Sequence, residues 1–237
     1  MRSLWFFCNL VVSIIIFSIP IILIGVFDNN KKYTGYLSKS WAKWVLKSTG
    51  LNYKIYGLEN IDIKKQYIFI SNHISALDII IGFIALPLNI TFLAKKELFK
   101  IPFFGWGMRA AGMIKIDRQD PEKAKASINN AAKVLINSTF STIIYPEGTR
   151  SNSGSLLPFK KGGFVLAIKS KLPIVPLTIS GTYSALPKGS LNIKKRDIKL
   201  FINKPIKTEG LTLDDREFLL KTCRKRIMNN LNKISKS

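Results

Sequence analysis

Histidine is all but absent from this chain: His73 is the single one among 237 residues. Cysteine is nearly as scarce, with Cys8 in an apolar run and Cys223 in a helical pattern, far apart in sequence. That scarcity excludes a disulfide framework and makes a reducing compartment the default. One histidine with one carboxylate also leaves the ligand count short, so no metal is expected. Acidic residues are few, 14 against 37 Lys and Arg, for a formal net charge of +23. A Gly-x-Ser-x-Gly elbow is missing and neither cysteine lies near such a turn, which argues against an acyl-enzyme. Helix-turn-helix, zinc-finger and RNA-binding signatures are missing too. The charge therefore points away from nucleic acid and toward anionic lipid or phosphorylated ligands.

What the chain does have is organised around Ser71-Asn72-His73-Ile74-Ser75-Ala76-Leu77-Asp78. Ahead of it Tyr67 to Ile70 is a β-branched and aromatic run that reads as a buried strand. Behind it Ala76 to Ala85 is apolar and reads as a helix. His73 thus falls where a strand gives way to a helix, the usual place for a ligand in an α/β sheet. Asp78, five residues on, can fold back over one turn toward the ring. A carboxylate on one imidazole nitrogen fixes the tautomer and leaves the other free to take a proton near neutral pH. A lone histidine in a solvated loop, with Asp78 at a helix start, is the plainer alternative. Without a protein nucleophile to activate, such a base would act directly on a substrate hydroxyl, contributing roughly 10²–10⁴-fold in rate.

Leu4 to Phe27 carries no charge over 24 positions and as a helix would rise about 36 Å, against a hydrocarbon core of about 30 Å. A cleaved signal peptide has a shorter apolar core and a small-x-small site, and none precedes Asp28. The segment therefore reads as a retained membrane anchor, which Pro20 would allow to kink into a re-entrant hairpin. Lys31 and Lys32 follow at once and favour a cytoplasmic location for the rest of the chain. From Leu37 to Lys47, Lys39, Lys43 and Lys47 step by four opposite Leu37, Trp41, Trp44 and Val45. A helix of that pattern suits a bilayer interface, or packs as an ordinary surface helix.

From Leu51 onward strands alternate with helices. Strand patterns lie at Tyr53–Tyr56, Asn89–Ala94, Gly112–Arg118, Ser141–Tyr145 and Pro173–Ser180. Helix patterns lie at Trp106–Ala111, Pro121–Asn137 and Lys160–Ser170. Ile193 to Ile206 reads as a hairpin or edge strands, and Thr212-x-x-Asp215 opens a last helix carrying Leu220, Cys223, Ile227, Leu231 and Ile234. The expected architecture is α/β, a mostly parallel helix-covered sheet with an N-terminal membrane-embedded or interfacial helical segment. The expected division is residues 1–50 as anchor and interfacial helix and residues 51–237 as the α/β domain.

Two arginines end strands on what should be the sheet edge of His73: Arg118 after Ile114 to Asp117, and Arg150 after Glu147-Gly148-Thr149. Guanidinium groups grip phosphate bidentately, and Gly148 lets the backbone approach closely. Glu147 can hold a neighbouring hydroxyl or orient Arg150.

These blocks together resemble the glycerolipid acyltransferase family, of the 1-acylglycerol-3-phosphate acyltransferase type. Asn72, His73 and Asp78 match its Asn-His-x-x-x-x-Asp block, and Gly112, Ile116, Asp117 and Arg118 its Gly-x-x-x-Ile-Asp-Arg block. Pro146 to Ser151 is its Pro-Glu-Gly-Thr-Arg-Ser block, and Leu172 to Pro176 its proline-flanked apolar block. Lys96-Glu97-Leu98 and Pro158 to Gly162 resemble intervening segments, so the similarity runs from about Gly57 to Thr182. The resemblance implies transfer of a fatty acyl group from acyl-coenzyme A or acyl carrier protein to the sn-2 hydroxyl of lysophosphatidic acid at an anionic membrane, with no resident cofactor. It implies His73 as base with Asp78 holding the ring. Arg118, Glu147, Gly148, Thr149 and Arg150 would receive the acceptor and its phosphate. Asn72, Lys96, Lys160, Pro173 and Pro176 would add contacts, the two prolines along the acyl chain. The thioester oxyanion would be met by backbone amides or by Lys96. Glycerol 3-phosphate or another lysophospholipid as acceptor stays open. So does a different class, a non-catalytic basic protein on anionic membrane or nucleic acid.

Overall fold

The apolar N-terminal run folds as one helix, and Pro20 does not break it. In the computed structural model, which describes residues 2–118 and 120–235, the helices in chain order are α1 (Arg2–Gly25), α2 (Lys32–Thr49), α3 (Leu77–Ala85) and α4 (Phe104–Ala110). They continue with α5 (Pro121–Ile136), α6 (Gly162–Ser170), α7 (Thr182–Ala185) and α8 (Arg216–Ser235). The strands are β1 (Tyr53–Tyr56), β2 (Ile68–Ser71), β3 (Ile90–Lys95), β4 (Ile114–Ile116), β5 (Ser141–Ile144), β6 (Ile174–Ser180) and β7 (Ile198–Ile202). The chain forms two compact units, Met1–Gly50 with Ile79–Thr142, and Leu51–Asp78 with Ile143–Ser237.

The first unit is built on the α1–α2 pair. Ser3–Gly25 is long and apolar enough to cross a membrane by length and composition, with mean hydropathy 2.7 and only 17% of its most apolar window buried. Two of its polar side chains find partners on α2: Trp41 Nε1 donates to Ser13 Oγ (3.2 Å) and Trp44 Nε1 to Asn9 Oδ1 (3.1 Å). The turn between the helices is held by Asp28, which is buried and accepts from the N–H groups of Lys32 (3.0 Å) and Thr34 (2.8 Å) and from the Thr34 hydroxyl (2.9 Å). Burial pushes the Asp28 carboxyl up, but the hydrogen bonds from Thr34, Lys32 and Tyr33 outweigh it and leave the pKa lowered. The lysine stripe expected on α2 is not uniform. Lys43 and Lys47 face solvent, whereas Lys39 turns inward and donates to the carbonyls of Leu86 (2.6 Å) and Leu88 (3.4 Å), just past the end of α3. Free carbonyls past a helix end attract a cation, which explains why one lysine leaves the stripe. Strands β3 and β4 pair in parallel, and α5 starts as expected, with Pro121 in its first turn and Asp120 accepting from Lys123 N–H.

In the second unit β2 pairs in parallel with β6, and β1 in parallel with β7, while β6 and β7 run antiparallel. The predominantly parallel, helix-flanked arrangement matches the expected α/β class. Where a hairpin or edge strands were expected over 193–206, there is one strand, β7, lying between β1 and β6, and Ile206 adds a single bridge to Ile174. Its alternating burial, Ile198, Leu200 and Ile202 in, is that of an internal strand with one half-covered face. The core packs Ile68, Phe69 and Ile70 of β2 with Ile174, Val175 and Leu177 of β6, all fully buried. Each such side chain is worth ~1.5–3 kcal/mol. Helix α8 opens at the Thr212–Asp215 capping box through a short 3₁₀ turn and buries Leu219, Cys223 and Ile227. Burial raises the Cys223 thiol well above its ordinary pKa and keeps it protonated.

Removing the Asp28 carboxylate strands two backbone donors and a hydroxyl. Asp28→Ala should cost about 1–3 kcal/mol, read as a drop of about 2–4 °C in Tm per kcal/mol. Because the folded pKa lies below 3.8, this stabilisation is complete above that value and is lost as pH falls through the depressed pKa. Melting curves of the two proteins should therefore converge in acid; a constant gap down to that pH would show that the charge is not responsible.

Candidate active site

Where β2 ends, the chain leaves the sheet through Asn72 and His73. Asn72 is buried and its amide behaves like one more rung of the β2–β6 ladder, donating to Ile179 O and accepting from Ile179 N–H, both at 2.8 Å. His73 follows with its side chain 15% exposed. Asp78 sits in the first turn of α3 with no solvent exposure. Its Oδ2 is 2.9 Å from His73 Nδ1 and also accepts the N–H groups of Ile74 (2.7 Å) and Ser75 (2.8 Å). A carboxylate can only accept, so this geometry assigns a ring proton to Nδ1. The opposite oxygen, Oδ1, accepts from the Thr182 hydroxyl at 2.7 Å. Tyr145, the last residue before Pro146, stacks on the imidazole at 4.1 Å between ring centroids and 19° between planes. Burial holds the Tyr145 phenol well above its ordinary pKa, and the Asp78 charge adds to this.

Glu147 is also buried, and both of its oxygens are engaged by backbone. Oε1 accepts His73 N–H at 2.6 Å and Oε2 accepts Leu157 N–H at 2.9 Å. Ser151 N–H donates to His73 O at 3.1 Å, so the 146–151 turn grips the His73 peptide from both sides. Glu147 acts as a strap between the two loops. Burial raises its pKa, with the two backbone hydrogen bonds and His73 opposing and Asp78 reinforcing. Gly148 has φ 73°, a left-handed conformation that disfavours any side chain. A Cβ there would lie 3.2 Å from Lys160 Nζ, so the Lys160 ammonium hangs over this turn. Thr149 is exposed and Arg150 half-buried, with Lys188 Nζ donating to the Arg150 carbonyl at 3.3 Å. Pro173 and Pro176 serve the sheet: Pro173 O accepts from Ile68 N–H, and Pro176 O from Asn203 N–H and Nδ2, each at 3.0 Å.

Lys96 and Arg118 belong to the other unit. Lys96 Nζ is paired with Asp117 Oδ2 at 2.7 Å. Arg118 follows β4 and is exposed as a residue, its guanidinium partly desolvated. That partial desolvation lowers its pKa, and the charge of Glu97 acts the other way.

Sequence reasoning missed Thr182, Tyr145 and Lys188. An aromatic residue directly before Pro146-Glu147-Gly148 was the one available signal for Tyr145; Thr182 and Lys188 lie far from the block in sequence and carried none.

The acyltransferase family model matches residues 52–180, more than half of the chain, and the protein belongs to that family. Among its relatives, the 1-acyl-sn-glycerol-3-phosphate acyltransferase of Limnanthes douglasii is 38% identical over 180 residues, covering 76% of this chain and 62% of the relative. The enzyme of that name from Saccharomyces cerevisiae is 38% identical over 191 residues, covering 79% and 62%. The chain thus spans about three fifths of the length of these curated relatives. The crystal structure of the 1-acyl-sn-glycerophosphate (LPA) acyltransferase PlsC from Thermotoga maritima matches 99% of this chain and 95% of its own, at 26% identity and a TM-score of 0.83.

Glu147→Gln keeps the shape of the strap but replaces one acceptor with a donor facing an N–H. It should destabilise by about 1–3 kcal/mol in a chemical denaturation series near neutral pH. The folded protein holds the Glu147 proton to higher pH than the ordinary 4.5, so this group's contribution to stability falls as pH rises from 4.5 through the raised value. The Gln variant should lack that slope. An equally steep fall in both proteins would assign it elsewhere.

Proposed function

We propose that the protein transfers a fatty acyl group from an acyl thioester, carried by coenzyme A or acyl carrier protein, to the sn-2 hydroxyl of lysophosphatidic acid. The observation that carries this reading is the buried Asp78 carboxylate 2.9 Å from Nδ1 of the chain's single histidine. Family membership and the names of the relatives supply the reaction class.

In this reading His73 Nε2 takes the hydroxyl proton as the alcohol oxygen attacks the thioester carbonyl. The resulting imidazolium is stabilised by Asp78. Collapse of the tetrahedral intermediate breaks the C–S bond, and the imidazolium proton passes to the departing thiolate. Arg150 receives the acceptor phosphate, and Lys160, poised over Gly148, adds a further cation. The pairing of Lys96 with Asp117 favours backbone amides as donors to the oxyanion. Residues 1–50 hold the protein to an anionic bilayer through α1, with Lys31 and Lys32 placing the remainder on the cytoplasmic face. Both substrates are anionic at one end and apolar at the other, which suits a chain of net charge +23 held at a membrane.

The test is an assay with labelled acyl thioester and lysophosphatidic acid, run in parallel with glycerol 3-phosphate. His73→Ala should abolish transfer while leaving membrane association intact, and near-full activity would refute the base assignment. Arg150→Ala should raise KM for the acceptor about 10–100-fold, the loss of a charge-assisted hydrogen bond, with the donor less affected. A donor-selective defect would place the phosphate elsewhere.

A further inference from the structure

The His73–Asp78 pair has a third member, contributed from more than a hundred residues away. Thr182 is the first residue of α7, directly after Gly181, whose φ of 90° turns the chain back from the end of β6. The parallel register of β2 and β6, with Ser71 opposite Leu177, delivers this turn to the His73 loop. It is fastened on both sides of Thr182: Asn72 clasps the Ile179 peptide, and Ser75 Oγ donates to Leu186 O at 2.7 Å. Thr182 is fully buried, and its hydroxyl meets Asp78 Oδ1 at 2.7 Å.

The division of labour between the two carboxylate oxygens gives this contact its meaning. Oδ2 takes the His73 ring and the two N–H groups of the loop; Oδ1 takes Thr182. Three donors on Oδ2 fix where that oxygen sits, but the plane of the carboxylate is set by where the other one points. Acceptor lone pairs lie near that plane, so its orientation decides how well Oδ2 meets Nδ1–H. We infer that Thr182 is a positioning residue for acyl transfer: its hydroxyl fixes the Asp78 plane so that neutral His73 keeps its proton on Nδ1 and presents a bare Nε2 to the acceptor hydroxyl. This rests on His73 being the base. Thr182 keeps its own proton, Asp78 remains ionised, and the one proton that moves passes from the acceptor to Nε2. Valine has the shape of threonine but would set a methyl group against Oδ1 and leave a buried carboxylate oxygen without its donor.

The lone histidine makes the test unambiguous, because ¹⁵N-histidine labelling of the full chain in detergent micelles gives signals from one imidazole only. Thr182→Val should lower kcat about 10–100-fold, the usual size of an outer-sphere defect, with KM for lysophosphatidic acid and for the thioester within about twofold. Its neutral ring should shift from the single Nδ1–H tautomer to a mixture. Thr182→Ser, which restores the hydroxyl, should recover both the tautomer and kcat to within about threefold. The inference is overturned by a Val variant with wild-type kcat, by a loss of kcat with an unchanged tautomer, by a rise in KM as the main effect, or by a Ser variant as impaired as Val. His73→Ala measured alongside separates the two ideas. Turnover surviving there removes the base assignment, whereas the tautomer spectrum of the Val variant still reads the Thr182 bond.

Discussion

A carboxylate with no access to water and four donors around it is the constraint from which the site follows. An ionised group at zero exposure is tolerated only where hydrogen bonds replace its hydration, and Asp78 has an imidazole, two peptide N–H groups and a hydroxyl to do so. Those requirements dictate the neighbourhood. The loop from His73 to Ser75 has to curl around Oδ2, which ends β2 and starts α3. The chain leaving β6 has to bend back to supply Thr182. The Glu147 strap and the Asn72 clasp then hold the two loops that flank the ring.

Seen from the sequence, the strand before His73 and the helix after Asp78 are plain, because apolar periodicity switches on either side of the block. A five-residue separation is also enough to anticipate a bond between imidazole and carboxylate. The partners of Glu147 are a different matter. A glutamate in a glycine turn reads as a substrate contact, and only three-dimensional placement reveals both oxygens on backbone N–H groups. Thr182 illustrates the same limit, since its role depends on the register of β2 against β6 rather than on any local pattern. For β7 the error has a physical origin: a lysine-rich segment looks like an edge, but Lys199 lies on the half-covered face while Ile198, Leu200 and Ile202 fill the core.

Charge distribution shows a similar separation between composition and placement. Lys39 belongs by spacing with Lys43 and Lys47, yet it is half-buried against the carbonyls of Leu86 and Leu88. Burial lowers its pKa, and the nearby charge of Lys43 adds to the effect. A fourfold lysine step is thus a geometric statement about a helix face, and the neighbours of that face decide whether each ammonium meets water, lipid or peptide.

Under the proposed membrane anchoring, the pairing of Trp41 with Ser13 and of Trp44 with Asn9 bears on how α1 meets hydrocarbon. A hydroxyl or carboxamide travelling alone into lipid would carry its hydration penalty with it. Here the indole groups already engage both, so the penalty is settled inside the protein before any bilayer is encountered. Helix α1 would then meet an apolar phase with exposed Trp5, Val11, Ile16 and Leu23 as its greasy outer flank, its two polar groups already satisfied by α2.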